Sequence, residues 1–357
     1  AIYAPKYMKF SRSNILSYDP GWLISHGWLW PTKASFLHSK SLVTLEFVLV
    51  VTTTALAFFK CPTLAASNGL TLAGTENCLP LPNQLLSSLT LLTIASFMMS
   101  LFATNILARW WSTRTFVASA AGACKSFSFL LNSWTVHNDD KVDKPAQANS
   151  VIEIRDQAIR LLNFAHALIF ATARVQTSLD DIKPFVSLGY CTECEAETIA
   201  GTPEPFIAVL AWVSCMVDDL HRKKGVITDQ QAQMLCSLLS DIRGNANNAL
   251  ILVTTQLPYL AVQLFAVLVY SFLLQLVIAC AGSVGAALEG EDSSAAFAGY
   301  FTVVLCSYIY FGLLCLYSEL AMPFGDDSVD FPTDAYQDSL WAVLQGVGRG
   351  VRAAAAA

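Results

Sequence analysis

The sequence predicts an all-α, multi-pass helical membrane protein, with four transmembrane helices per chain and a helical layer outside the bilayer. Three observations predict it. Of 357 residues, 54% are hydrophobic and only 13% are charged, with a mean hydropathy of +0.49, whereas soluble domains carry about 25% charged residues. Four apolar stretches match or approach the ~20 residues that cross a hydrocarbon core. The basic residues fall almost wholly on one side of those stretches. A net charge of −6 without any basic stripe argues against nucleic acid as a partner.

Taken in order, residues 1–41 mix Lys, Arg, Pro and Trp without a continuous apolar core, so neither a secretory leader nor a span is expected there. Leu42–Phe59 is the first span, with Glu46 as its one charge. Leu85–Ala108 is the second, and Val117–Leu131, which contains Lys125, continues its helix beyond the bilayer. Ala249–Ala281 is the third, long enough to tilt or bend, with Pro258 near its start; Ala295–Ala321 is the fourth. Each must be helical, because lipid offers no partner to an exposed backbone amide. Residues 42–108 and 249–321 are thus the membrane segments, 109–248 the intervening helical region and 322–357 an acidic segment and tail.

Within 109–248 the apolar runs Leu161–Ala173 and Phe206–Val217 are too short to span and suit buried helices. Ser150–Thr177 has helical periodicity, with Ile154, Ile159, Leu162, Ala165 and Ile169 on one face and Arg155 and Arg160 opposite. Thr228 is the N-cap candidate of a helix over Thr228–Arg243. The charged stretch Asn138–Asn149, with Pro145, reads as a loop, and no strand pattern is visible. All 21 Lys and Arg except Lys60 lie before the first span, between the second and third, or after the fourth. By the positive-inside rule both termini and the central region face the cytoplasm or the equivalent compartment of an organelle.

Several segments resemble the bestrophin family of anion channels. They are Ser96-Phe97 followed by Arg109-Trp110-Trp111; Leu257-Pro258 through Gln263 to Val269-Tyr270-Ser271-Phe272; and Met322-Pro323-Phe324-Gly325-Asp326-Asp327-Ser328-Val329-Asp330-Phe331. Fainter matches are Trp212-Val213-Ser214 to Arg222-Lys223-Lys224-Gly225, and Glu46-Phe47. The resemblance implies a homopentamer in lipid around one axial pore, passing chloride, and bicarbonate with it, without any covalent step. It sets Thr93, Phe97 and Leu101 at the pore neck and, by an ungapped register, Gln230 at a lower constriction. Residues four apart stack along one helix face, so five copies would make rings; apolar rings gate by dewetting. The plainer readings stay open: Phe97 and Leu101 packing against a neighbouring helix, and Gln230 solvated on its own.

The same resemblance implies a calcium clasp, with Asp327 and Asp330 as side-chain ligands and Glu319 and Met322 contributing backbone carbonyls. Calcium takes six to eight hard oxygens, and Ser328 and Val329 stand where many animal members have acids. A solvated acidic turn is the alternative. Members occur at animal plasma membranes and in chloroplast thylakoids, and the sequence leaves that choice open. So do a non-conducting membrane scaffold and a secondary anion transporter, although the matched halves of the latter are missing.

Other signals carry less. Cys191 and Cys194 form C-x-x-C without two further ligands at zinc spacing. Cys61 and Cys78 share the loop after the first span, where a disulfide would fit. The five histidines make no H-E-x-x-H pair, no G-x-S-x-G elbow occurs, and no strand precedes Gly346, Gly348 and Gly350. An enzyme is therefore not expected. Glu46 within a span is expected to face other helices.

Overall fold

The computed structural model describes residues 8–10, 16–18, 40–60, 89–137, 145–288, 293–325 and 329–356. A short antiparallel pair, β1 (Met8–Phe10) with β2 (Leu16–Tyr18), opens the chain in the register Met8 opposite Tyr18. No strand was expected; three-residue pairs are too short to show alternation. Among the described residues everything else regular is helical: α1 (Lys40–Lys60), α2 (Leu89–His137), α3 (Pro145–Ala173), α4 (Leu179–Ser187), α5 (Glu193–Ile199), α6 (Pro205–Asp218), α7 (Asp229–Thr254), α8 (Tyr259–Leu288), α9 (Ser293–Leu320) and α10 (Thr333–Ala356). A single π-helical turn, Asp219–Lys223, extends α6.

These elements form two compact units. The first holds α1, the start of α2 up to Ala108, and Gln256–Ala321; the second holds Arg109–Thr255 and Met322–Ala357.

The first unit is the membrane part. Tyr259–Ala281 of α8, Ala296–Tyr317 of α9 and the run of α2 that begins at Leu92 are long and apolar enough to cross, while α1 carries the shorter apolar run Val43–Ala57. The 49 residues of α2 extend about 70 Å, so it continues well past any bilayer. Ala95, Met99, Phe102 and Ile106 of α2 pack with Val269, Phe272 and Leu273 of α8 and Tyr310 of α9. Lipid gives no hydrophobic drive between helices, so close fit and buried hydrogen bonds hold them. Gly299 of α9 supplies the fit: a Cβ there would sit 3.2 Å from Val284 Cγ2 and 3.4 Å from the Cys280 carbonyl oxygen on α8. The bonds are Ser96–Tyr310 (2.6 Å), Thr54–Tyr300 (2.8 Å) and Ser307 Oγ to Glu46 Oε1 (2.6 Å).

One expected boundary moves. The apolar run from Ala249 is not one span: α7 ends at Thr254, and Thr255–Pro258 is non-helical before α8 opens at Tyr259. Proline cannot donate to the preceding turn and its ring clashes with it, so the break falls where Pro258 dictates.

The second unit is a helical layer around α3, whose residues Leu161–Ala171 are all buried. Its core gathers Phe127 and Leu131 of α2, Leu162 and Leu168 of α3, Phe206 and Val213 of α6, Leu235 and Ile242 of α7 and Leu340 of α10. Reciprocal capping boxes start α4 (Ser178 with Asp181), α5 (Thr192 with Glu195) and α7 (Thr228 with Gln231), each satisfying two orphan amides. Two expectations change here. Pro145 is not in a loop but opens α3, where a missing N–H costs nothing. Arg155 does not face solvent: it is 1% exposed, paired with the half-exposed Asp156 at 2.9 Å. Because α3 is enclosed on nearly every side, its periodicity could not distinguish an outer face.

Candidate functional site

The α2 helix shows one buried side and one bare side. In the membrane unit Ala95, Met99, Phe102 and Ile106 pack inward, while Thr93, Phe97 (62% exposed), Ser100, Leu101 (44% exposed), Thr104 and Asn105 lie on the opposite side. Spacings of three and four keep each set together over successive turns. Thus the three expected neck positions share one exposed face of α2. In the second unit the bare side of α2 carries Trp111 (66% exposed), Thr115, Gly122, Ser126 and Phe129, opposite the buried Val117, Cys124 and Leu131. Asn105 escaped the sequence reading, although an amide within a span is itself a signal.

Gln230 lies in the first turn of α7, exposed, two residues after the Thr228 cap. Position and exposure suit a group facing a cavity or bulk water equally, and it sits apart from α2 in sequence and element.

Arg109-Trp110-Trp111 divides its labour. The Arg109 guanidinium donates to the Leu252 carbonyl at 2.6 Å and to the Thr255 carbonyl, so it caps the C-terminal end of α7 at the break before α8. A cation there meets the negative end of the helix dipole. Trp110 packs on Phe331 with ring centroids 4.9 Å apart and stacks on Trp111.

The acidic turn after α9 is described on both sides of residues 326–328; Asp327 and Ser328 lie outside the described residues. Phe331 N–H donates to the Pro323 carbonyl at 2.8 Å and Gly325 N–H to the Met322 carbonyl at 3.4 Å. Phe324 is fully buried between Phe170 and Phe331. Asp330 is 4% exposed, and its Oδ2 lies 2.7 Å from where a Cβ on Gly325 would stand, so only glycine fits. Arg174, one turn after Phe170 on the exit of α3, donates to the Phe324 carbonyl (2.5 Å) and the Thr333 hydroxyl (2.8 Å). Arg174 was not singled out from the sequence; 150 residues separate it from its partner.

Of the expected calcium ligands, Asp327 lies outside the described residues and Asp330 is buried. Glu319 and Met322 are exposed, and no group of three or more His, Cys, Asp or Glu is placed to hold a metal among the described residues.

The remaining motifs resolve structurally. Glu46 accepts from Ser307 between α1 and α9, as expected of a carboxyl facing other helices. Cys191 is buried, and desolvation pushes its thiol up to about 11, which disarms a nucleophile. Cys194 is exposed on α5, so the C-x-x-C straddles a helix start. Glu195, which completes that capping box, also forms a two-pronged ion pair with Arg160 at 2.7 and 2.8 Å. Cys61 and Cys78 lie outside the described residues. A second buried cluster joins α3 to α10: Gln337 Nε2 donates to the Asn163 side chain (2.7 Å), and its Oε1 stands 2.7 Å from His166 Nδ1. Burial, and secondarily the charge of Lys125, lowers the His166 pKa to about 4, against a raising hydrogen bond from Gln337. The histidine is therefore neutral, its Nδ1 carrying the proton.

This fold defines a class, that of multi-pass helical membrane proteins with a large helical unit beyond the spans. The sequence model of a family described as "Bestrophin, RFP-TM, chloride channel" matches residues 81–344. The chain belongs to the bestrophin family of anion channels. Its fold is similar to that of a crystal structure described as a membrane protein, with 15% identity, a TM-score of 0.63, and 87% of this chain and 99% of that one covered. Two crystal structures of point mutants of a bacterial bestrophin homologue from Klebsiella pneumoniae are similar too. Both are 16% identical to this chain and 99% covered, with TM-scores of 0.62 and 0.63 over 85% and 86% of this chain. No curated protein matches the chain.

Proposed function

We propose that five copies of this subunit assemble around one axis, with the bare face of α2 lining a central anion pathway. Phe97 forms its narrow apolar neck, with Thr93 on the outer side and Leu101 on the inner. The observation that carries this reading is the exposure of that face, which includes Asn105 and hydroxyl side chains. Polar groups within spans turn toward protein or water rather than lipid, so the face needs an aqueous or protein neighbour.

A ring of phenyl edges presents the positive part of each aromatic quadrupole. Such weak attraction lets chloride, and bicarbonate beside it, enter and leave quickly, and a narrow apolar ring closes by dewetting. Transport is passive and no covalent chemistry is involved. Gln230 is assigned to a second ring in the helical unit, where an amide filters less strictly than an aliphatic side chain. The charge asymmetry supports placing both termini and the helical unit on the cytoplasmic or stromal side.

The test is recording from purified protein in planar bilayers, with single-particle imaging of the same sample. Phe97→Ala should raise anion current severalfold. Particles without five-fold symmetry, or currents unchanged by Phe97→Ala, would remove the neck assignment, and silent five-fold rings would favour a scaffold.

A further inference from the structure

We infer that Asn105 is the anion-recognition residue of the pathway, its carboxamide N–H groups meeting the ion one turn inside Leu101. Given the five-fold pathway proposed above, on which this rests, the position follows from the helix. Where Thr93, Phe97 and Leu101 face the axis, the row of residues four apart runs along that axis, and its next member is Asn105. Phe102 and Ile106 lie on the other side, 1% and 3% exposed in the packing of α2 against α8 and α9. Asn105 itself is exposed, about 6 Å beyond Leu101 along the helix.

The amide differs from the hydroxyls near it in having donors to offer. The Thr104 hydroxyl gives its one proton to the Ser100 carbonyl at 2.8 Å. Ser100 stands about 100° round the helix from Leu101, off the row. Asn105 makes no hydrogen bond to any described residue. Other helical asparagines of this chain do turn back on their own helix: Asn132 Nδ2 donates to the Ser128 carbonyl at 2.7 Å, and Asn245 Nδ2 to the Asp241 carbonyl at 2.8 Å. Two N–H donors and an acceptor oxygen thus stand uncompensated within a span, a state that lipid penalises heavily. Water and a passing anion relieve it.

Neutral donors suit this place. An ion leaving the apolar neck has shed part of its hydration, and N–H groups one turn further on replace it. A ring of fixed positive charge would hold the ion longer, whereas an amide binds weakly enough to release it, as conduction requires. Small anions such as chloride hold water more tightly than large, diffuse ones, so they gain most from the replacement. Asn105 therefore sets which anions cross as well as how fast they do so.

The experiment records wild type, Asn105→Leu, Asn105→Thr, Asn105→Gln and Phe97→Ala in planar bilayers, in chloride and in thiocyanate, with single-particle images of each. Asn105→Leu should lower the chloride current severalfold and raise the thiocyanate-to-chloride permeability ratio by a similar factor. Asn105→Thr should do the same, because its hydroxyl would turn back to the Leu101 carbonyl as that of Thr104 does to Ser100. Asn105→Gln keeps both donors and should retain the wild-type preference. Leucine and threonine variants with the wild-type ratio would overturn the assignment, and a Phe97→Ala current that still rises would then leave the pore itself standing. A wild type that forms no conducting five-fold particle would bring down both. Should Asn105→Leu fail to assemble, Asn105→Thr, which stays small and polar, decides alone.

Discussion

Two side chains, one on α3 and one just past its end, illustrate how single positions set local behaviour. Val175 occupies a left-handed position for which it is the wrong residue, and Val175→Gly should stabilise the protein by about 1 kcal/mol, read as a higher melting temperature. A drop would mean that the valine side chain, which is largely exposed, contributes contacts outweighing the backbone cost. His166 acts through its proton. Its folded pKa lies below the unfolded value, so between about 4 and 6.5 the unfolded chain binds more protons and stability rises with pH. That contribution is whole above pH 6.5 and fades as acid approaches the folded pKa, with roughly 2 kcal/mol gone by pH 5. Melting followed from neutral pH to pH 5 should therefore fall more steeply in the wild type than in His166→Gln. Equal slopes would acquit the histidine.

Among elements, the spans were legible because membrane solvent demands long apolar runs, and α1, α8 and α9 answer to that demand directly. The N-cap of α7 could be read as well, since Thr228 is a local signal. What could not be read depends on residues distant in sequence. The break at Thr255–Pro258 hides inside apolar residues on both sides, and the cap that Arg109 places on it comes from α2. Arg155 and Arg160 look alike in a helical pattern, yet one is enclosed and the other meets Glu195. Arg174 and Gln337 carry no motif at all, and their meaning appears only when α3 meets the turn and α10. Of the expected site, Thr93, Phe97 and Leu101 came from the family resemblance and their spacing of four places them on one face, whereas the exposure of that face depends on the packing of α8 and α9 on the other side of α2. The closeness of α8 and α9 gives a direct check. Gly299→Leu forces a branched side chain against Val284 and the Cys280 carbonyl, and overpacking of that kind costs roughly 1–3 kcal/mol. Less folded protein surviving heat and size-exclusion chromatography is expected, with Gly299→Ala in between; full tolerance of leucine would show that the helices can part.

At the scale of the molecule, two units with different solvents share one chain. The first is built for lipid and relies on fit and a few hydrogen bonds; the second has an enclosed apolar core of the kind soluble proteins use. Acid should therefore act on the second first, through His166. The second unit also bears Trp111 and Phe129, two large rings on the uncovered side of its first helix. A newly made chain carries them bare into water until another surface meets them. Solitary copies are consequently sticky, and the time between synthesis and encounter becomes a hazard that grows with crowding. The cell's proofreading machinery would find in those two rings a ready mark of a protein that has arrived without company.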